Sequence, residues 1–167
     1  MSVKLPQGAE QAIAEEIAKG FEGFNQAIVK ELNRIGTEAV TRARRTVTEH
    51  GIPAAGYDAY KVRTANLVSS IGFALAYNGK VINMSDFEAV QGEDGTPGTE
   101  GSEKGKAYAK QLVMKYPSGY VLILVAGMHY ASYVQELHNR DVLVSGQLLA
   151  ESLLRNMQQI IDEETKR

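Results

Sequence analysis

The first third of the chain repeats its apolar positions at a helical spacing. Ile13, Ile17, Phe21, Phe24, Ile28, Leu32, Ile35, Ala39, Ala43 and Val47 follow one another at intervals of three or four residues, which places them on one face. The series also repeats at eleven: Ile13, Phe24 and Ile35 form one row, Ile17, Ile28 and Ala39 a second, Phe21, Leu32 and Ala43 a third. An eleven-residue repeat corresponds to about 3.67 residues per turn, so the stripe stays nearly straight along the helix. From about Ala9 to Thr48 such a helix would reach roughly 60 Å at 1.5 Å per residue, more than a compact domain of this size covers. Gly20 and Gly23 are the natural break, since each costs about 1 kcal/mol against Ala inside a helix. Residues 1–23 are therefore read as an N-terminal helical arm that packs on a neighbouring subunit. Gly51-Ile-Pro53 ends the main helix.

Beyond a short linker the period changes. Thr64-Ala-Asn-Leu-Val-Ser-Ser-Ile71 reads as a capped helical turn running into a strand. Phe73–Tyr77 and Val81–Met84 flank Asn78-Gly79, a strong signal for a two-residue hairpin with a type I′ turn. A second hairpin is expected from Gln111–Tyr116, Pro117-Ser-Gly119 and Tyr120–Ala126. Its last strand is apolar at each position from Val121 to Ala126, which predicts a central place in the sheet. Between the hairpins, residues 92–106 hold five glycines in fifteen positions, so residues 91–107 are expected to form a flexible Gly-rich loop, one that orders on a partner. A closing amphipathic helix from about Ser145 is expected to bury Leu149, Leu153, Met157 and Ile160, with Leu154 and Ile161 beside them. The pattern predicts a single α+β domain: an antiparallel sheet of about four strands, in two hairpins, packed by long N- and C-terminal helices.

Composition narrows the chemistry. The 167 residues are 44% hydrophobic and 23% charged, with 18 Lys and Arg against 20 Asp and Glu, so the net charge of −2 lacks the positive excess of a basic nucleic-acid binder. Any DNA contact has to come from a local patch, and Arg42, Arg44 and Arg45, near Lys61 and Arg63, form the main one. The same residues also suit the C-terminal end of a helix dipole. With no cysteine, disulfides, thiolate nucleophiles and Cys-containing zinc sites are excluded. Apolar runs are too short for a membrane span, and Met1-Ser-Val-Lys-Leu-Pro has no apolar signal region, so a protein made inside the cell and away from membranes is expected.

Catalytic motifs are sparse. His50, His129 and His138 stand singly, and no phosphate loop, nucleophile elbow or calcium-loop spacing occurs. Glu136, His138 and Asp141 are the densest cluster; a metal or hydrolase site there competes with a plain polar loop, which is the simpler reading. No cofactor or metal is expected. Tyrosine dominates the aromatics, with eight Tyr, four Phe and no Trp, and Tyr116, Tyr120, Tyr130 and Tyr133 gather around the second hairpin and its exit, a composition at home in cores and interfaces alike.

Two segments carry a family resemblance. Thr64-Ala-Asn-Leu67-Val-Ser-Ser70-Ile71 resembles the T-G-x-L-x-x-S-I segment of a family of small long-tailed-phage proteins that includes tail-completion and head–tail joining proteins. Gly127-Met-His-Tyr130-Ala131-Ser-Tyr133-Val134-Gln135 resembles the G-x-x-Y-A-x-Y-V-E motif of the same family. Ala65 stands where the family has Gly, Gln135 where it has Glu, and Leu137 where Gly is common. The likeness extends from about Asn33 to Glu164. It implies a helix-flanked antiparallel sheet that assembles as a ring at the phage neck or tail end, with other neck or tail proteins as partners, in the virion after assembly and in the host cytoplasm before it. On that reading the chain is a non-enzymatic assembly subunit of a phage or prophage, with subunit contacts at Tyr130, Tyr133, Gln135, Phe21 and Phe24 and passing DNA near Arg42, Arg44 and Arg45. The competing readings are a small nucleic-acid-associated protein using the Arg42–Arg45 patch and a metal enzyme around His138.

Overall fold

The computed structural model describes residues 9–49, 65–132, 134 and 142–164. The chain divides into two compact units, Met1–Leu32 and Asn33–Arg167. Helix α1 (Ala9–Glu49) contributes to both and runs without interruption through Gly20 and Gly23. The two glycines are outweighed by good helix formers on either side, Ala18, Lys19 and Glu22 among them. In the second unit the stripe behaves as its spacing predicts: Ile35, Ala39, Ala43 and Val47 are buried.

The second unit continues with α2 (Asn66–Ser69), β1 (Ile71–Tyr77), β2 (Lys80–Met84), α3 (Thr99–Val113), β3 (Tyr120–Ala126) and α4 (Val144–Glu164). The three strands form one antiparallel sheet in the order β2-β1-β3. The fold is α+β, as the sequence pattern predicts, but the sheet has three strands where about four were expected. Asn78 and Gly79 both take positive φ, 50° and 74°, as a type I′ turn requires. Between Leu75 and Ala76 the β1–β2 register slips, so that Leu75 faces Asn83 while Ala76 faces Val81, leaving Ile82 as the extra residue of a bulge.

Two expectations fail for one reason. The segment read as a flexible loop is a hydrogen-bonded turn, Gly92 to Thr96, followed by the fifteen-residue helix α3. Gln111–Val113, read as a strand, is the last turn of that helix. Gly98, Gly101, Gly105 and Ala109 fall at intervals of three and four, the spacing of one helix face, and continue into Val113. Gly101, Gly105, Ala109 and Val113 are all buried. Glycine here is a packing surface that lets a helix lie close to its neighbours. The third correction concerns the centre of the sheet, which is β1 and not β3. Six of its seven residues are buried, and Gly72, Ala74 and Ala76 leave the room on one face that α3 fills.

The sheet is sandwiched. On one face Ala74, Ala76, Ile123 and Val125 pack with Phe87, Ala109 and Val113. On the other, Leu122 and Leu124 pack with Ile35 and Ala39 of α1 and with Ala150, Leu153, Leu154 and Met157 of α4. Helix α4 turns a little from its expected stripe: Ala150 is the buried position and Ile160 is exposed. The small residues of α1 set that rotation, since a Cβ on Gly146 would come 2.6 Å from the Ala39 carbonyl oxygen. The sheet thus carries an apolar cluster on each of its faces.

Candidate functional site

Residues 65–70 form the polar hub of the second unit, and all six are buried. Gly98 stands at the N-cap of α3 and has no side chain with which to cap it. Asn66 supplies the cap from outside the helix: its Oδ1 accepts the Gly101 N–H at 3.1 Å, and its Nδ2 donates to Glu100 Oε2 at 3.2 Å. Ser69 Oγ accepts the Val90 N–H at 3.0 Å, and Ser70 Oγ donates to the Leu67 carbonyl at 2.7 Å. Ala65 holds φ at 52°, in the left-handed region that favours glycine. Residues 65–70 are thus a scaffold, with the Asn66, Ser69 and Ser70 side chains spent on the protein's own backbone and on Glu100.

The second family-like segment leaves β3 at Gly127, whose N–H donates to the Ser70 carbonyl at 3.1 Å. A Cβ at Gly127 would lie 2.5 Å from the Gly105 Cα, so the two segments and α3 meet backbone to backbone. Tyr130 is half-buried and makes an edge-to-face contact with His129, ring centroids 5.3 Å apart. Tyr133, Gln135, Glu136, Leu137, His138 and Asp141 lie outside the described residues, as do His50, Lys61, Arg63 and Thr64. Among the described residues no three His, Asp or Glu side chains gather as metal ligands, and no helix is long and apolar enough to cross a membrane.

The basic patch is divided. Arg42 and Arg45 are exposed, while Arg44 is half-buried and donates from Nε and Nη2 to the Ile71 carbonyl at 3.1 and 3.0 Å. Burial lowers its pKa from the ordinary arginine value, and the Glu88 carboxylate works in the opposite direction. Arg44 therefore ties α1 to the start of β1, leaving Arg42 and Arg45 as the residues facing solvent. Arg44→Ala should cost about 1.5–3 kcal/mol of unfolding free energy in urea, the range for hydrogen bonds to a charged group, and Arg44→Lys should recover only part because an ammonium lacks the fork. An unchanged midpoint for Arg44→Ala would remove this role. Elsewhere, Glu100 is held below the usual carboxylate range, first by the hydrogen bond from Lys104 and then by its charge. That exposed pair is a minor contributor, present above the usual carboxylate pKa and lost as pH falls through the lowered value.

Exposed large apolar side chains occur singly on α3 and along α4 (Tyr108, Met114, Val144, Leu148 and Ile160) and in two further groups. In the first unit, Ile17, Phe21 and Phe24 are 54%, 66% and 49% exposed. In the second, Tyr77, Val81, Ile82 and Tyr116 are exposed near the Asn78-Gly79 tip. There the Tyr77 and Tyr120 rings lie 4.5 Å apart, and the tip is clamped to the α3–β3 turn by Asn78 N–H to the Gly119 carbonyl and Gly119 N–H to Asn78 Oδ1. The sequence pattern points to Phe21, Phe24, Tyr116 and Tyr120 but not to Tyr77, Val81 and Ile82. The signal for the last two is the unbroken Lys-Val-Ile-Asn-Met run, apolar on both sides of an edge strand. No protein-family model, no curated protein and no solved structure matches the chain.

Proposed function

We propose that this chain is a non-enzymatic assembly subunit of a long-tailed phage or prophage, a tail-completion or head–tail joining protein that works through a ring of copies at the neck or tail end. The observation that carries the reading is the apolar stripe of α1, buried from Ile35 to Val47 but open to solvent at Ile17, Phe21 and Phe24. Contiguous apolar side chains left exposed at helical spacing mark an association surface. Support also comes from the two family-like segments, which build one buried junction around Asn66, Gly105 and Gly127. A scaffold held by backbone contacts suits a part whose shape is its function.

In this role the layered second unit forms the rigid wall of the ring. Head-to-tail contacts closed by rotation need two different surfaces on each copy, and the patch at Tyr77, Val81, Ile82 and Tyr116 offers one of them. Arg42 and Arg45 are placed to make weak, salt-sensitive contact with passing DNA. The test is disruption of the gene in the phage or prophage that encodes it, followed by electron microscopy of the lysate. Filled heads separated from complete tails, with joining restored by the gene in trans, is the expected result. Normal infectious particles lacking the protein by mass spectrometry would overturn it.

A further inference from the structure

The exposed part of α1 has a symmetry of its own. About a point midway between Glu22 and Gly23, Phe21 mirrors Phe24, Ile17 mirrors Ile28, and Ala18 mirrors Ala27. All six sit on or beside the stripe, and Glu15, Lys19, Glu22 and Lys30 project from the opposite side of the helix. Such a pattern complements itself when a second copy is turned end for end.

We propose that residues 15–30 of α1 pair antiparallel with the same segment of a second copy, across a two-fold axis between Glu22 and Gly23. Charge favours this orientation. Residues 9–22 hold Glu10, Glu15, Glu16 and Glu22 against Lys19, a net −3, whereas residues 23–36 hold Lys30 and Arg34 against Glu31, a net +1. Antiparallel pairing levels the net-negative half with the net-positive half and opposes the two helix dipoles, a long-range preference because most of these charges lie on the outer side; a parallel pair would level acid with acid. Gly20 flanks the stripe with open space around its Cβ position, and Ala18 and Ala27 are equally small, so the axes can approach to about 8 Å. Covering the exposed Phe and Ile side chains of both copies removes on the order of 1,000 Å² from water, the lower bound of a specific interface, so the pair is weak and concentration-dependent.

The inference rests on the assembly reading in taking the stripe as a contact between copies. A two-fold contact joins copies in pairs and is separate from the head-to-tail contacts of a ring. Because the chain has no cysteine, single-cysteine variants report the geometry directly. Under mild oxidation, Phe24→Cys should cross-link to itself, since it lies beside the axis. Ile17→Cys should not, but should cross-link when mixed with Ile28→Cys. By sedimentation, Phe21→Glu should raise the dissociation constant of the wild-type dimer about tenfold or more, with unfolding unchanged because the position is exposed. Self-cross-linking at Ile17, association that survives Phe21→Glu, or a wild-type chain that stays monomeric at its highest soluble concentration would each overturn the pairing. The gene-disruption result stands independently of these outcomes, so the two failures are distinguishable.

Discussion

Phe87→Ala is expected to lower the unfolding free energy by about 3–5 kcal/mol, the range for removing a buried aromatic ring. Phe87 is 1% exposed and lies in the cluster of Ala74, Ala76, Ala109, Val113, Ile123 and Val125. Its buried neighbours are Ala or stiff β-branched Val and Ile, and the flexible Met84 and Leu112 are only partly buried against the cluster, so the space refills incompletely. The ring also fits against two glycines: a Cβ on Gly105 would come 2.6 Å from it, and a Cβ on Gly72 would clash with it more severely still. The backbone is bent to make this fit, with φ at 49° for a residue that carries a ring. Holding such a conformation costs of order 1–3 kcal/mol, so the ring's burial exceeds that cost. Phe87→Gly relieves the bend while losing the same ring and should therefore be no more damaging than Phe87→Ala. Urea unfolding decides, and Phe87→Leu, expected to retain part of the packing, keeps the comparison readable if the alanine variant does not fold. A loss below about 1 kcal/mol for Phe87→Ala would show that the ring is not the plug of this core.

Phe87 was absent from the candidate core because nothing local marks it. It sits in Ser85-Asp-Phe-Glu-Ala, a run with neither helical nor strand period, and reaches the interior only through a positive φ. Elements with a strong period were legible: α1, the Asn78-Gly79 hairpin, β3 and α4 all appear where their spacing places them. Helix α3 was not, because glycine composition was weighed without its register. The five glycines argue for a loop when counted, whereas Gly98, Gly101 and Gly105, read by their spacing with Ala109, argue for a packed helix face. The place of β1 at the centre was hidden for a related reason, since Gly72, Ala74 and Ala76 signal close approach rather than hydrophobic bulk. Of the candidate site, the exposed stripe at Phe21 and Phe24 could be anticipated from the helix outrunning its domain. The inward use of Arg44 could not, because its partner is a backbone carbonyl twenty-seven residues away that carries no sequence signature.

Gly101→Ala puts the register argument to a direct test, because two effects of opposite sign meet at this residue. In an isolated helix the substitution would stabilise by about 1 kcal/mol. In the fold, the new Cβ would lie 2.7 Å from the Asn66 Cα and closer still to the Asn66 carbonyl oxygen, both backbone atoms. Backbone cannot rotate away as a side-chain tip can, so α3 and α2 must separate. That separation loosens the Asn66 Oδ1 bond to the Gly101 N–H, the cap of α3, at a further cost of about 1 kcal/mol. Overpacking of this kind costs about 1–3 kcal/mol, occasionally more; the cap loss cancels the propensity gain, so the net change should be a loss of about 1–3 kcal/mol. Gly20→Ala, on the open part of α1 with nothing within 4 Å of the new methyl group, should have the opposite sign and raise helix stability by about 1 kcal/mol. Circular dichroism followed through urea titration of both variants reads the contrast. If Gly101→Ala were as stabilising as Gly20→Ala, α3 would have to be the exposed, loosely held segment that its glycine count suggests, and the backbone junction of Asn66, Gly105 and Gly127 would not hold the fold together.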